Sequence, residues 1–274
     1  MPELPEVETV RRTLENLVLG KKIENVTVKW AKIIKHPDDL GDFKSLLIGQ
    51  TIRSIGRRGK FLKIILDDVV LVSHLRMEGR YIYVEGGEEA DKHTHVIFAF
   101  RDGSELRYRD VRKFGTMHVY PIGKEEEHLP LSQLGPEPFD PDFKPVELWN
   151  KLQKTTRKIK PVLLDQTVLV GLGNIYVDEA LFKVGLNPEA EARSLSKKKA
   201  EALHQAIVET LNEAVDQGGS TIRSYVNSQG DMGMFQQKLA VYARKGEPCL
   251  NCGSEIVRIV VGGRGTHICP SCQK

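Results

Sequence analysis

Residues 96–109 read VIFAFRDGSELRYR: two β-rich runs, Val96–Arg101 and Glu105–Arg109, joined through Asp102-Gly103. An Asp-Gly pair supplies the backbone angles of a tight hairpin turn, so the runs predict two antiparallel neighbours. Similar short runs lie on either side, at Ile23–Trp30, Phe61–Leu66, Val69–Leu75, Tyr81–Val84 and Thr116–Tyr120. Ahead of them Val7, Val10, Leu14 and Leu17 recur at helical spacing, with Pro5 suited to a first turn and Gly20 to a stop. Residues 1–128 are therefore expected to form a leading helix and an antiparallel β-sandwich.

Residues 129–145 (LPLSQLGPEPFDPDFKP) hold five prolines and no clear period, which predicts a linker. Beyond it the pattern turns helical. Leu148–Lys154, Pro161–Val168 and Asn174–Val184 are short helical segments, the last closed by Gly185. A longer one is capped by Ser196 and carries Ala200, Leu203, Ile207, Leu211 and Val215 on one face before Gly218-Gly219. Residues 218–237 are polar and glycine-containing and read as a loop. Strands first and helices second is an α+β arrangement. The expected boundaries are a helical domain at 146–240 and a separate small tail at 241–274.

The chain has 274 residues, 40% hydrophobic and 28% charged, the profile of a globular protein with room for two cores. No apolar run is long enough to span a bilayer, and MPELPEVETVRR is not a signal peptide, so a cytoplasmic, non-membrane protein is expected, as a monomer. Net charge is only +3. Basic residues nevertheless cluster at Arg57, Arg58, Lys60 and Lys63, at Arg107, Arg109, Arg112 and Lys113, and at Lys154, Arg157, Lys158 and Lys160, while Glu125–Glu127 are set apart. Separated basic patches suit a polyanion; each alone reads equally as a solvated face.

All four cysteines lie in the tail, as Cys249-x-x-Cys252 and Cys269-x-x-Cys272. Two such knuckles complete a closed tetrahedral four-sulfur site, which predicts one structural zinc and no organic cofactor. His267 is a weaker candidate ligand. Between the knuckles Val260–His267 reads as a hairpin with Arg264 at a glycine-flanked tip, suited to gripping a phosphate. Asn174, at a helix start behind Gly171-Leu172-Gly173, sits where backbone N–H groups favour anions, or serves only as a cap.

Pro2 directly follows the initiator methionine. Once Met1 is removed it offers a secondary amine, and an α-amino group with a pKa of roughly 7.7–8.0 is partly unprotonated near neutrality. Attack on a sugar C1′ gives an iminium that has no N–H to lose, an effective electron sink; Glu3 beside it is placed to shuttle protons. Phe114, among arginines, and Met77 read either as core or as wedges that enter a base stack.

MPELPEVETVRR at the start, RRGKF at 57–61, SHLRMEGR at 73–80, RYRDVRKFG at 107–115, LGPEP at 134–138, GLGNIYVDEALF at 171–182 and the zinc tail together resemble the bacterial formamidopyrimidine-DNA glycosylases, in order along the whole chain. The resemblance implies a helix–two-turn–helix in the helical domain and a base-excision repair enzyme that removes oxidised purines from duplex DNA and then cleaves the abasic strand. It implies Pro2 as Schiff-base nucleophile, Glu3 as proton donor, Lys60 in β-elimination and Arg264 at the δ-elimination end. His74, Met77, His93, Arg112, Phe114, Lys154, Arg157, Asn174 and Tyr242 would contact DNA, with Met77, Arg112 and Phe114 filling the gap left by the flipped nucleotide. Glu78, Ser220, Arg223, Ser224 and Tyr225 would recognise the damaged base, the last four from a capping loop. Thr155 stands where the resemblance leads one to expect a basic contact, with Lys154 and Arg157 as neighbours. Two other readings stay open: an endonuclease VIII-like glycosylase for oxidised pyrimidines, and a non-catalytic zinc-finger DNA-binding protein.

Overall fold

The structure is a computed structural model and describes residues 1–220 and 233–274. It opens with α1 (Leu4–Val18), whose N-cap is Glu3 and whose first turn holds a proline, the residue that lacks the N–H a first turn leaves unpaired. Val7, Val10, Leu14 and Val18 are fully buried along one stripe, each contributing about 1.5–3 kcal/mol by leaving water. Gly20, at φ 77°, takes the left-handed turn out of the helix.

Eleven strands and five further helices follow among the described residues: β1 (Ile23–Val28), β2 (Ile34–His36), α2 (Leu40–Leu47), β3 (Ser54–Arg58), β4 (Phe61–Ile65), β5 (Val69–His74), β6 (Arg80–Val84), β7 (Thr94–Phe100), β8 (Glu105–Arg109), β9 (Thr116–Pro121), α3 (Pro145–Gln153), α4 (Ile159–Leu164), α5 (Asn174–Lys183), α6 (Lys197–Asp216), β10 (Val257–Val261) and β11 (Arg264–Ile268). The hairpin at Asp102-Gly103 forms as read, joining β7 to β8, with Gly103 at φ 88°. Two sheets result, in the orders β1-β7-β8-β6 and β2-β9-β5-β4-β3, and one apolar core of residues from both, with α1 and α2, lies among them.

One pairing departs from the antiparallel expectation: β2 runs parallel to β9. The chain leaves the first sheet after β1 and enters the edge of the second as a three-residue strand, so no hairpin fixes its direction. β2, β3 and α2 are additions to the sequence reading. SIGRR (β3) ends in two arginines and is interrupted by Gly56, and α2 is only eight residues long, so neither shows a full period.

The described residues divide into two compact units. The first holds Met1–Gln133 with Ser220 and Gly233; the second holds Leu134–Gly219 and Met234–Lys274. The division falls inside the proline-rich stretch. Within the second unit that stretch is anchored: the Gly135 N–H donates to Gln166 O, the Val170 N–H to Pro136 O, and Phe143 is buried. The α6 cap forms as read, Ser196 accepting the Lys199 N–H at 3.2 Å. At α5, Gly173 is the cap and Asn174 the first helical residue, which removes the capping alternative for Asn174.

Candidate active site and nucleic-acid interface

In the first unit, α1 carries the N-terminus and packs on β3 and β4. Pro2 is buried, Glu3 is 2% exposed, and Met1 protrudes at 47% exposure. The β3–β4 turn is only Gly59-Lys60; Gly59 adopts φ 55°, and the Arg57 guanidinium donates to its carbonyl at 2.9 Å. Lys60, at 6% exposure, is therefore held by a rigid two-residue hairpin rather than a free loop. Its ammonium lies within electrostatic reach of His74, whose pKa falls to about 3, chiefly from burial, with Arg76 and Lys60 adding repulsion. His74 is thus neutral near pH 7, and its Nδ1 lone pair accepts the Arg76 N–H at 2.8 Å.

Glu6, which the sequence reading passed over, connects the N-terminus to Ser220. Its Oε2 accepts the Glu3 N–H at 2.8 Å and its Oε1 accepts the Ser220 N–H at 2.7 Å, all three residues being buried. Its place three residues after the cap Glu3 was the available signal. Of the expected base-recognition residues, Glu78 is exposed and Ser220 is buried at Glu6. Arg223, Ser224 and Tyr225 lie outside the described residues.

Met77 and Phe114 stand out of the first unit, 39% and 52% exposed, which removes the core reading for both. The Arg112 guanidinium lies over the Phe114 ring at 4.8 Å. His93 is half-buried and donates its N–H to Asp91. His74, expected as a DNA contact, is 7% exposed and shapes the Arg76–Met77 turn through its Nδ1.

In the second unit the four cysteine sulfurs lie within 4.8 Å of one another, with Sγ–Sγ separations of 3.5 Å (Cys252–Cys269) and 3.9 Å (Cys249–Cys272). A tetrahedral site with metal–sulfur bonds of about 2.3 Å has edges of about 3.8 Å, so the cluster fits one structural zinc. His267 is not part of it: its N–H donates to Asp178 and its ring packs on Tyr242.

The zinc knuckles carry the β10–β11 hairpin, whose turn is Gly262-Gly263, both at positive φ, with Arg264 exposed beyond it. A Cβ on Gly262 would meet Pro161 at 2.6 Å, so the tip lies tight on α4. Beneath it, Lys160 and Asp178 form an ion pair at 2.7 Å with both side chains wholly buried. Lys160 also donates to Thr266 Oγ1 at 2.8 Å and Gly265 O at 3.2 Å, and the Asn174 amide donates to Gly265 O at 2.8 Å. Asp178 Oδ2 takes the His267 N–H at 2.9 Å. Glu179, buried with its pKa raised by that burial, accepts the N–H groups of Ala240, Val241 and Tyr242.

The expected basic clusters divide accordingly. Lys160 is an internal strut, Lys63 pairs at 2.8 Å with both Glu125 and Glu126, and Arg107 is buried against Glu105. The acids that the sequence set apart fold onto the bases. Lys154 and Arg157 remain exposed, Arg157 pairing with Asp165 at 2.9 Å.

The chain matches known proteins along its length. Residues 1–117 match the formamidopyrimidine-DNA glycosylase N-terminal domain, 134–226 the H2TH domain of that family, and 246–274 a zinc finger found in FPG and IleRS. Formamidopyrimidine-DNA glycosylases of Cytobacillus firmus and Bacillus licheniformis are each 64% identical over 100% of both chains. The chain belongs to the formamidopyrimidine-DNA glycosylase family. Among solved structures, Lactococcus lactis Fpg in complex with abasic-site DNA is 42% identical with a TM-score of 0.93, and Lactococcus lactis Fpg with DNA containing N7-Benzyl-Fapy-dG is 43% identical with a TM-score of 0.93, each covering 100% of both chains. The α+β architecture with a zinc-finger hairpin is thus that of the formamidopyrimidine-DNA glycosylases.

Proposed function

We infer that the chain is a base-excision repair glycosylase that releases oxidised purines from duplex DNA and then cleaves the backbone at the abasic site. The observation that carries the reading is the head of α1: Pro2 and Glu3 buried on a helix packed against the β3–β4 hairpin that presents Lys60. The complexes of Lactococcus lactis Fpg with abasic and formamidopyrimidine-type DNA support the substrate class. Conversion to a free Pro2 amine needs removal of Met1, which is exposed.

In this reading the Pro2 nitrogen forms a bond to C1′ as the glycosidic bond breaks, and the base leaves carrying a proton. Opening of the C1′–O4′ bond, with Glu3 supplying the proton to O4′, gives the iminium. Loss of a C2′ proton expels the 3′ phosphate, and a second elimination expels the 5′ phosphate. Lys60 serves the elimination, and Arg264 grips the phosphate at the δ end. Zinc supplies no chemistry; it folds the hairpin. The protein acts where the bacterial chromosome lies, in the cytoplasm.

Borohydride tests the nucleophile, because it reduces an iminium to a stable amine. Processed protein on abasic-site DNA should form a covalent adduct whose cross-linked peptide maps to Pro2. An adduct at Lys60, or none with fully processed protein, overturns the assignment.

A further inference from the structure

The loops that carry Met77 and Phe114 are built alike. In each, a buried side chain accepts backbone N–H groups from the loop after it: His74 Nδ1 takes the Arg76 N–H, and Asp110 takes those of Arg112 (3.0 Å), Phe114 (2.8 Å) and Gly115 (2.8 Å). In each, the residue just before the exposed apolar tip sits at positive φ, Arg76 at 54° and Lys113 at 59°. Such a conformation is strained for a non-glycine residue and persists only where its surroundings enforce it. In each, the loop closes on a glycine, Gly79 or Gly115, where a Cβ would overlap the same atom, the Tyr108 hydroxyl.

Asp110 is fixed on every side. Its side chain is wholly buried, its N–H donates to His93 O at 3.0 Å, and the buried His95 Nε2–H donates to its carbonyl at 2.8 Å. Tyr108 is equally enclosed: its ring meets Tyr81 edge-on at 5.2 Å, and its hydroxyl has no hydrogen-bond partner among the described residues. A hydroxyl left unpaired in a core is unfavourable, so its position between two glycines is maintained against a penalty.

We propose that Asp110 is the positioning residue of the Phe114 tip, and that the Tyr108 hydroxyl, seated between Gly79 and Gly115, holds the Met77 and Phe114 loops as one two-pronged probe. The proposal rests on the reading of Phe114 as a wedge that enters the duplex. Asp110 touches no substrate. It fixes the backbone so that Phe114 enters the stack already aimed, with the ordering cost met on folding rather than on binding.

The test is a double-mutant cycle read on two substrates. Asp110→Asn replaces one acceptor oxygen with an NH2 group facing N–H donors. Excision of 8-oxoguanine from intact duplex should fall roughly tenfold or more, the scale of a lost hydrogen bond to a charged acceptor, while cleavage of a pre-formed abasic site stays within about threefold. Phe114→Ala should likewise slow excision from duplex, and the double variant should be no slower on duplex than Phe114→Ala alone. If Phe114→Ala leaves duplex excision unchanged, the wedge reading fails. If Phe114→Ala slows excision but Asp110→Asn does not, or the two effects multiply, the positioning role is overturned. The milder Tyr108→Phe tests the link separately by amide hydrogen exchange. Protection should fall together in residues 75–79 and 111–115; loss in neither or only one refutes the shared probe.

Discussion

At the level of single residues, the candidate site depends on buried groups whose protonation is constrained. His74 titrates at about 3 in the folded chain against about 6.5 when unfolded. Between those values the unfolded chain binds the extra proton, so stability is full above about pH 6.5 and is lost as pH falls. Integrated from pH 7 to pH 5, one such histidine accounts for about 2 kcal/mol. Urea unfolding at the two pH values should show that loss, and His74→Gln should flatten the slope; an unchanged slope would contradict a neutral, buried His74. Lys60→Ala should slow strand cleavage yet still permit borohydride trapping on abasic DNA, since the nucleophile is elsewhere. Pro2, Glu3 and Arg264 drew attention by their places in the sequence, behind the initiator methionine and between the cysteine pairs, whereas the expectation for Lys60 came from the family resemblance. Glu6, Asp110 and Asp178 were not, because an acid that accepts buried N–H groups is written with the same letters as a solvated one.

At the level of elements, strands and helices with a full period were read within a few residues, and the zinc cluster followed from spacing alone. β3 and α2 escaped because glycine and charge interrupt the one and brevity limits the other. The hairpin that presents Arg264 has two supports, the four-cysteine site and the Lys160–Asp178 pair. Cys252→Ser should release zinc and raise the DNA dissociation constant about tenfold or more, as an arginine–phosphate contact is lost, with the first unit still folded. Binding titrations with metal analysis check this; full affinity without zinc would contradict it. Lys160→Met strands a buried carboxylate and should cost about 3–5 kcal/mol, of which Lys160→Met with Asp178→Asn regains part. Thermal unfolding of the single and double variants measures the recovery, and additive losses would argue against coupling.

At the level of the whole molecule, the family match fixes the class of reaction, while preference among oxidised bases is a property of the assembled site. Faster excision of 8-oxoguanine paired with cytosine than of thymine glycol is expected; the reverse order would favour the endonuclease VIII-like reading. Charge was the least legible feature at this scale, because acids remote in sequence neutralise bases such as Lys63 and Lys160 once the chain folds. Glu6 gives the sharpest case of distant residues meeting, since it joins positions 214 apart. Both of its oxygens face N–H donors. Glutamine would turn an NH2 toward one of them, and aspartate is a methylene too short to span the pair. The two N–H donors thus call for a carboxylate of this length at position 6, a demand set by geometry rather than by any part in bond-breaking.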